Sequence, residues 1–451
     1  MILRATIFAA LVTGCTATGD EVSPPVDQLF FPSGLALAPG AVAGDPEPAM
    51  FVVNSNSELR YDTGTITSID VAVADALIDE WLATGLPPAD PSGCPGCCAV
   101  DSRIPTAIDC DERGLLIPGA AVRTGNFATD VGLQVLDSGA LRLVATVRGD
   151  PSVTWIDADA SGRTLDCGGG GEVPICDDAH RLNQLLGDLE LPVLSGEPFS
   201  VWVDGVNGYA MITHLVNGVV TLLDLPRDGS APLLTDALAG LFQASQNGLR
   251  SSIGIAGRTP GSPYDLVYVT SSYEERVQLV YVTRQASGRP VMVPSEYFFL
   301  DRVFPSEDGR GITFGAGGDR AYVVNRLPPA LQIVDTSVDE TGFPRNRVIG
   351  AVELCREASV VQAGDLGQGE RVYVTCFSEG EVWVLDPVDR SLRAIVDVGA
   401  GPHKMALSLA RQRLYVANFL EDSISVIDLT PGAPTENRMV LKIGLGREDN
   451  E

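Results

Sequence analysis

Thiols and imidazoles are the side chains of this 451-residue sequence best suited to chemistry, and both are sparse. The stretch CPGCC places Cys94, Cys97 and Cys98 together, with Cys110 following. Covalent haem attachment needs Cys-x-x-Cys-His, and Cys98 stands where the iron-ligating histidine belongs. That spacing excludes c-type haem. Four thiolates can also hold zinc or an iron–sulfur cluster, but adjacent Cys97 and Cys98 suit a tetrahedral site poorly, so disulfides are expected. Cys167 and Cys176 bracket CGGGGEVPIC. No Gly-Lys-Ser/Thr follows it, so a disulfide-closed loop is expected there rather than a phosphate cradle. Cys355 and Cys376 form the third cluster.

The three histidines are His180, His214 and His403. No G-x-S-x-G elbow, H-E-x-x-H motif or Cys/His pair is present, so no catalytic set, metal site or cofactor is expected. Lysines number two, Lys404 and Lys442, which leaves few candidates for Schiff-base chemistry. The stretch DADASG at 157–162 starts like a calcium loop, yet the twelfth position is Gly168 and the ninth Leu165, where acids are required. It reads instead as the turn after an inner strand at 151–155.

Elements must carry these residues, and the sequence repeats itself in stating them. RAYVVNRLPPALQIVDT begins at Arg320, RVYVTCFSEGEVWVLDP at Arg371 and RLYVANFLEDSISVIDL at Arg413. Tyr322, Tyr373 and Tyr415 each precede an aspartate, Asp335, Asp386 or Asp428, by the same interval. Period-two alternation on both sides of a turn reads as a β-hairpin. With a strand before it (405–409) and after it (439–443), the last copy makes a four-stranded unit. Weaker copies span 51–70, 122–137, 209–224 and 268–281, giving seven hairpins. Such units bury their faces only by stacking, and radial stacking leaves short edges. The fold expected is all-β: a seven-bladed β-propeller of four-stranded blades with short helical and disulfide-bearing insertions. Those insertions fall at about 71–104, 163–197 and 233–247. Helices are expected in all three, the first with Asp75 as a cap and Leu77, Ile78, Trp81 and Leu82 on its apolar face, the second with Leu182, Leu185, Leu186 and Leu189.

The N-terminus carries one basic residue, Arg4, then an apolar run at 5–12 and Val12-Thr13-Gly14-Cys15. This resembles the lipobox of bacterial lipoproteins. The resemblance implies a signal peptide at 1–14, lipid on Cys15 and a tether at 15–30, ahead of a propeller at 31–446 and an acidic tail at 447–451. Thr16 after the cysteine points to the outer membrane, periplasmic or surface-exposed. Removing residues 1–14 leaves 30 basic against 59 acidic residues, a net charge of −29. Nucleic acid is excluded as a partner, and the membrane is met only through the anchor. Eight remaining cysteines suit an oxidising compartment.

The Tyr-Val-x-Asn and Val-Ile-Asp signatures at 415–418 and 426–428, with copies at 322–325 and 333–335, resemble the YVTN family of β-propellers. That family's members are typically seven-bladed, often exported, and diverse in role, so the resemblance implies a fold rather than an activity. Alignment on the tyrosines places His403, Arg310 and Glu357 at the channel mouth. The function expected is a lipid-anchored binding or scaffolding module that offers its insertion-bearing rim to an envelope protein, peptide or glycan. The alternative is a lactonase- or dehydrogenase-like propeller enzyme with its site at the channel mouth.

Overall fold

Valine, isoleucine, tyrosine and threonine dominate segments such as Arg413–Asn418 and Ser423–Asp428, where branched and aromatic side chains favour extended backbone. The computed structural model describes residues 22–88, 98–171, 173–185, 193–243, 245, 247–258, 266–300 and 307–444. Its strands make seven sheets, each with four strands that pair in chain order, and two short strands from an insertion in blade 1 add to the sheet of blade 7. The chain is a seven-bladed all-β propeller. From blade 1 to blade 7 the inner strands are Pro32–Leu37, Ala128–Val135, Pro198–Asp204, Ile255–Gly257, Glu307–Phe314, Ala358–Asp365 and Pro402–Ser408.

The Tyr-to-Asp interval has a local cause. Asp335, Asp386 and Asp428 end their third strands and accept the N–H of Ser337 (3.0 Å), Val388 (2.9 Å) and Thr430 (3.0 Å). A carboxylate bonded two residues ahead starts a turn, so it fixes where the hairpin register begins. Tyr322, Tyr373 and Tyr415 then lie opposite Ile333, Val384 and Val426 and are buried. The asparagine of the motif is structural as well: Asn418 Nδ2 donates to Ser423 Oγ (3.0 Å) and Ser425 Oγ (2.9 Å) across the hairpin.

Seven apolar clusters fill the structure, and each joins one pair of neighbouring blades. The cluster between blades 7 and 1 also takes in helix α1 (Val71–Thr84), through Val71, Ala74, Leu77, Ile78 and Trp81. Beyond it, Ile108–Cys110 pairs in parallel with Arg438–Ile443, the outer strand of blade 7, and Cys98–Val100 pairs with Ile108–Cys110. An insertion of blade 1 therefore clasps blade 7 and closes the ring, held by the Cys98–Cys110 disulfide.

Several expectations are corrected. Helix α1 is capped by Asp70, whose Oδ1 accepts from Ala72 N (3.1 Å) and Val73 N (3.3 Å). Asp75 sits inside the helix and pairs with Arg411. Leu233–Leu238 is not helical but the outer strand of blade 3, because that sheet needs a fourth strand and Gly240 (φ 74°) then turns the chain. The 163–197 segment shows no helix among its described residues. Arg181–Leu182 pairs with the third strand of blade 2, and Trp155 Nε1 donates to Ala179 O (3.1 Å). Leu185 is buried, while Leu186 and Leu189 lie outside the described residues. Residues 122–137 straddle two blades instead of forming a hairpin, and Ser152–Ala158 is the third strand of blade 2 rather than its inner strand. The hairpin of blade 2 is Leu141–Val147 with Ser152–Ala158; it escapes the tyrosine pattern because Leu143 takes that buried place. Asp159 does form the expected turn, accepting from Ser161 N (3.0 Å) and Thr164 N (2.7 Å).

Candidate functional site

Each blade meets the channel through the start of its inner strand, and six of the seven start alike. Phe31, Phe127, Glu197, Asp308, Glu357 and Gly401 all have positive φ, between 48° and 65°. A register break follows in every case, at Pro32/Gly34, Ala128/Asp130, Pro198/Val201, Gly309/Ile312, Ala358/Val361 and Pro402/Lys404. A bulge re-aims side chains that a regular strand would point at neighbouring blades. The bulged residues include Thr129 and Asp130, Phe199 and Ser200, Arg310 and Gly311, and His403 and Lys404, and all of these line the central cavity.

Hydrogen bonds lock these bulges from blade to blade. Thr146 and Thr213 on second strands, and Thr270 just after one, donate to Phe199 O (2.8 Å), to Ile253 O (2.9 Å) just ahead of the blade 4 inner strand, and to Arg310 O (2.6 Å). His403 Nδ1 bonds Ser33 O (3.1 Å), which fixes the proton on Nδ1, and Ser33 Oγ donates to Ala128 O (2.7 Å). The wall is thus set by folding, ahead of any ligand.

The cavity measures about 700 Å³, and Leu35, Val131, Ile312, Val361 and Met405 give its lining an apolar part beside the polar residues. Lys404 Nζ reaches Asp130 Oδ2 at 2.7 Å, and Asp130 also accepts Val201 N–H (3.2 Å), so one ion pair ties blades 7, 2 and 3. Arg310 holds Asp308 with two contacts, 2.7 and 3.0 Å. Glu357 is exposed and accepts the Ser378 hydroxyl. Arg326 differs from the other cations. Its guanidinium donates to Ala358 O (2.9 Å), Glu357 O (3.4 Å) and Ser359 Oγ, and makes no ion pair among the described residues. Burial, then the neighbouring Arg310, lowers its pKa. His403 is also driven down, to about 4, by burial and then by the Lys404 ammonium. It is neutral at physiological pH, with Nδ1 committed to Ser33.

His403, Arg310 and Glu357 line the same cavity. Glu357 is displaced by two positions, since the counterpart of Arg310 and His403 in blade 6 is Ser359. Arg326 was missed; it directly follows the Tyr-Val-Val-Asn motif, and Phe377 and Phe419 stand in the same place in blades 6 and 7. Sequence therefore held a signal, the residue after the motif. His214 is structural: it is fully buried, with Nδ1 on Gly196 O (3.0 Å) and Nε2 on Thr221 Oγ1 (2.9 Å). His180 stacks on Trp155 (centroids 3.8 Å apart), away from the channel. Among the described residues there are three disulfides, Cys98–Cys110, Cys167–Cys176 and Cys355–Cys376. Cys15, Cys94 and Cys97 lie outside the described residues. No group of three or more metal-ligating side chains converges among the described residues.

No protein-family model matches the chain, and no curated protein matches it. Solved structures do. A putative 6-phosphogluconolactonase from Bacteroides uniformis is similar at TM-score 0.51 and 12% identity, over 90% of this chain and 93% of that one. A periplasmic gluconolactonase of Pseudomonas aeruginosa gives 0.50 and 18% over 70% and 85%. The β-propeller domain of Cps50 (Swd1) from Myceliophteria thermophila gives 0.50 and 8% over 88% and 96%. Identities this low establish a shared propeller fold and nothing about activity.

Proposed function

We propose that the chain is an extracytoplasmic binding propeller of the YVTN type, anchored to the bacterial outer membrane through Cys15. Its ligand site is the channel mouth, and the ligand is the acidic end of a sugar acid or glycan. The observation that carries this reading is Arg326. A half-buried guanidinium bonded only to neutral oxygens keeps its charge available, and planar, forked donors suit a carboxylate. Lys404 adds a donor across the mouth, while Asp130, Glu357 and the unprotonated Nε2 of neutral His403 can accept hydroxyls. The rim is a poorer place for a partner than the sequence implies, because the apolar face of α1 is spent against blades 7 and 1.

Isothermal titration with gluconate tests the site. Wild-type protein should bind, and Arg326→Ala should weaken binding at least about 10-fold, the worth of one charge-assisted hydrogen bond. No gluconate binding to the wild type would end the reading. The anchor is tested separately: mass spectrometry of the mature N-terminus should find an acylated Cys15, and an unmodified terminus beyond it would remove the membrane address.

A second reading is lactone hydrolysis at the same mouth. It is favoured by an imidazole whose Nε2 makes no hydrogen bond among the described residues. A base with a pKa near 4 is far from the operating pH, which favours binding over turnover. Glucono-lactone opening faster than the uncatalysed rate, lost in His403→Ala, would select the enzyme.

A further inference from the structure

The mouth does not end at the channel. A second depression, about 540 Å³, lies over the turns of blades 6 and 7, and Glu357 and Phe377 line both cavities. The two spaces are therefore neighbours that share one carboxylate and one aromatic wall. The Cys355–Cys376 disulfide holds that partition in place, since Cys376 precedes Phe377 and Cys355 stands two residues before Glu357.

Chemically the two spaces differ. At the mouth, Arg326 lacks an anionic partner among the described residues. In the second depression the lining arginine is engaged, Arg103 with Glu421 (3.1 Å), and Arg356, next in the chain to Glu357, is held by Glu379 (3.6 Å). What stays open is an exposed carboxylate, Asp397, beside Glu357, which accepts the Ser378 hydroxyl and keeps further acceptor capacity. Apolar surface completes it: Phe377, Ile104 and Leu420, the last 56% exposed. Gly399, Ala400 and Gly401 complete its lining with little side-chain bulk, and Leu420 packs over Gly401. A second anion would be repelled there. A neutral ring that presents hydroxyls along one edge and C–H groups on one face matches these groups.

We propose that the second depression is a subsite for a neutral sugar, so that the ligand is an oligosaccharide with an acidic terminal unit in the channel mouth and its neighbouring neutral unit beside Asp397 and Leu420. This rests on the mouth reading above and extends it from a single sugar acid to a chain end. Asp397 and Glu357 accept hydroxyl hydrogens, and Leu420 with Phe377 covers the ring face.

The test compares gluconate with cellobionate, the same acid bearing one glucose, by titration calorimetry on the full chain. Cellobionate should bind at least about 10-fold more tightly than gluconate, which corresponds to about 1.4 kcal/mol. Leu420→Trp, which fills the depression, should remove that gain and leave gluconate affinity unchanged; Asp397→Ala should reduce the gain. Equal affinities for the two probes, or a gain that survives Leu420→Trp, would overturn the subsite while the mouth stands. Failure of both probes to bind wild-type protein would instead overturn the mouth, and the subsite with it.

Discussion

Lys442 Nζ lies 2.9 Å from Asp101 Oδ2, although 341 residues separate them in the chain. The contact joins the outer strand of blade 7 to the insertion of blade 1, and it is almost fully buried on both sides. Asp109 (3.2 Å) and Glu421 (3.1 Å) surround the same ammonium, and Glu421 also holds Arg103. Blade 1 lends its insertion strands to the outer edge of blade 7, and this polar knot, helix α1 and the Cys98–Cys110 bridge secure that closure.

Lys442→Met is expected to destabilise the protein by about 3–5 kcal/mol, because it removes the cation and leaves buried carboxylates facing one another. Chemical denaturation should show the loss. Since blade 7 is released first, hydrogen exchange should rise in Arg438–Ile443 before it rises in the blade 3 strands. A uniform rise across all blades would show that closure does not depend on this knot.

The same knot responds to acid in an unusual sense. Burial raises Asp109 to about 6, helped by its neighbour Asp101 and opposed by Lys442. Burial would raise Asp101 too, but hydrogen bonds from Asp109, from Lys442 and from the N–H groups of Ile104 and Arg103 outweigh it and hold that carboxyl well below the usual range. A carboxyl whose folded pKa is raised favours the fold while protonated. Its contribution is complete below about 4 and fades as pH rises through about 6. Asp109→Asn imitates the protonated form. It should stabilise the protein by about 1–3 kcal/mol at pH 7.5, by less at pH 5, and change little below about pH 4. Asp101 acts oppositely, and its contribution is lost only in strong acid.

Why the sequence disclosed some of this and not the rest follows from where the information sits. The hairpins of blades 5 to 7 are readable because Asp335, Asp386 and Asp428 both start a turn and set a register, a local event. Helix α1 is readable from its apolar spacing, while its cap was misplaced because Asp70 and Asp75 are equivalent until the end of the preceding strand is known. The 233–247 stretch has helix-favouring residues, and only the demand of blade 3 for an outer partner makes Leu233–Leu238 extended. That is tertiary context overriding propensity. The bulges that aim the mouth residues left a fainter trace: Pro32, Pro198 and Pro402, and small residues at 128, 309 and 358, all directly follow the left-handed position. The closure knot is invisible in sequence, since nothing local ties residues 101 and 442.

Two buried histidines give the acid limb its ordinary direction. Burial lowers His214 to about 4, and its neutral ring donates to Gly196 O while accepting from Thr221. His403 is lowered similarly. A histidine with a depressed pKa stabilises the fold above about 6.5, and that stability is lost as pH falls toward 4. His214→Gln keeps one donor and one acceptor without the titration. Thermal melts from pH 6.5 to 4.5 should therefore decline less steeply in the variant, by about 2 kcal/mol at the lower end. Identical slopes in the two proteins would show that His214 is not what acid attacks.

The last expectation separates the site from the scaffold through Cys355 and Cys376. Their bridge links the start of the blade 6 inner strand to the end of its second strand, a separation of 21 residues. Closing such a loop stabilises by about 3 kcal/mol in the chain-entropy model. The Cys355→Ser, Cys376→Ser double variant should lose about that much, leaving most of the propeller intact because six of its seven blades do not contain the bridge. The site should suffer more than the stability figure implies. Glu357 and Phe377, the partition between the two cavities, each lie within two residues of a bridged cysteine. Gluconate titration at a temperature where the variant is fully folded should show weaker binding, whereas removing the Cys167–Cys176 bridge, which lies in the blade 2 insertion, should cost stability without changing affinity. If both double variants bind gluconate as the wild type does, the disulfide in blade 6 serves the fold alone, and the mouth is positioned by the bulges and the Thr146, Thr213 and Thr270 hydroxyls.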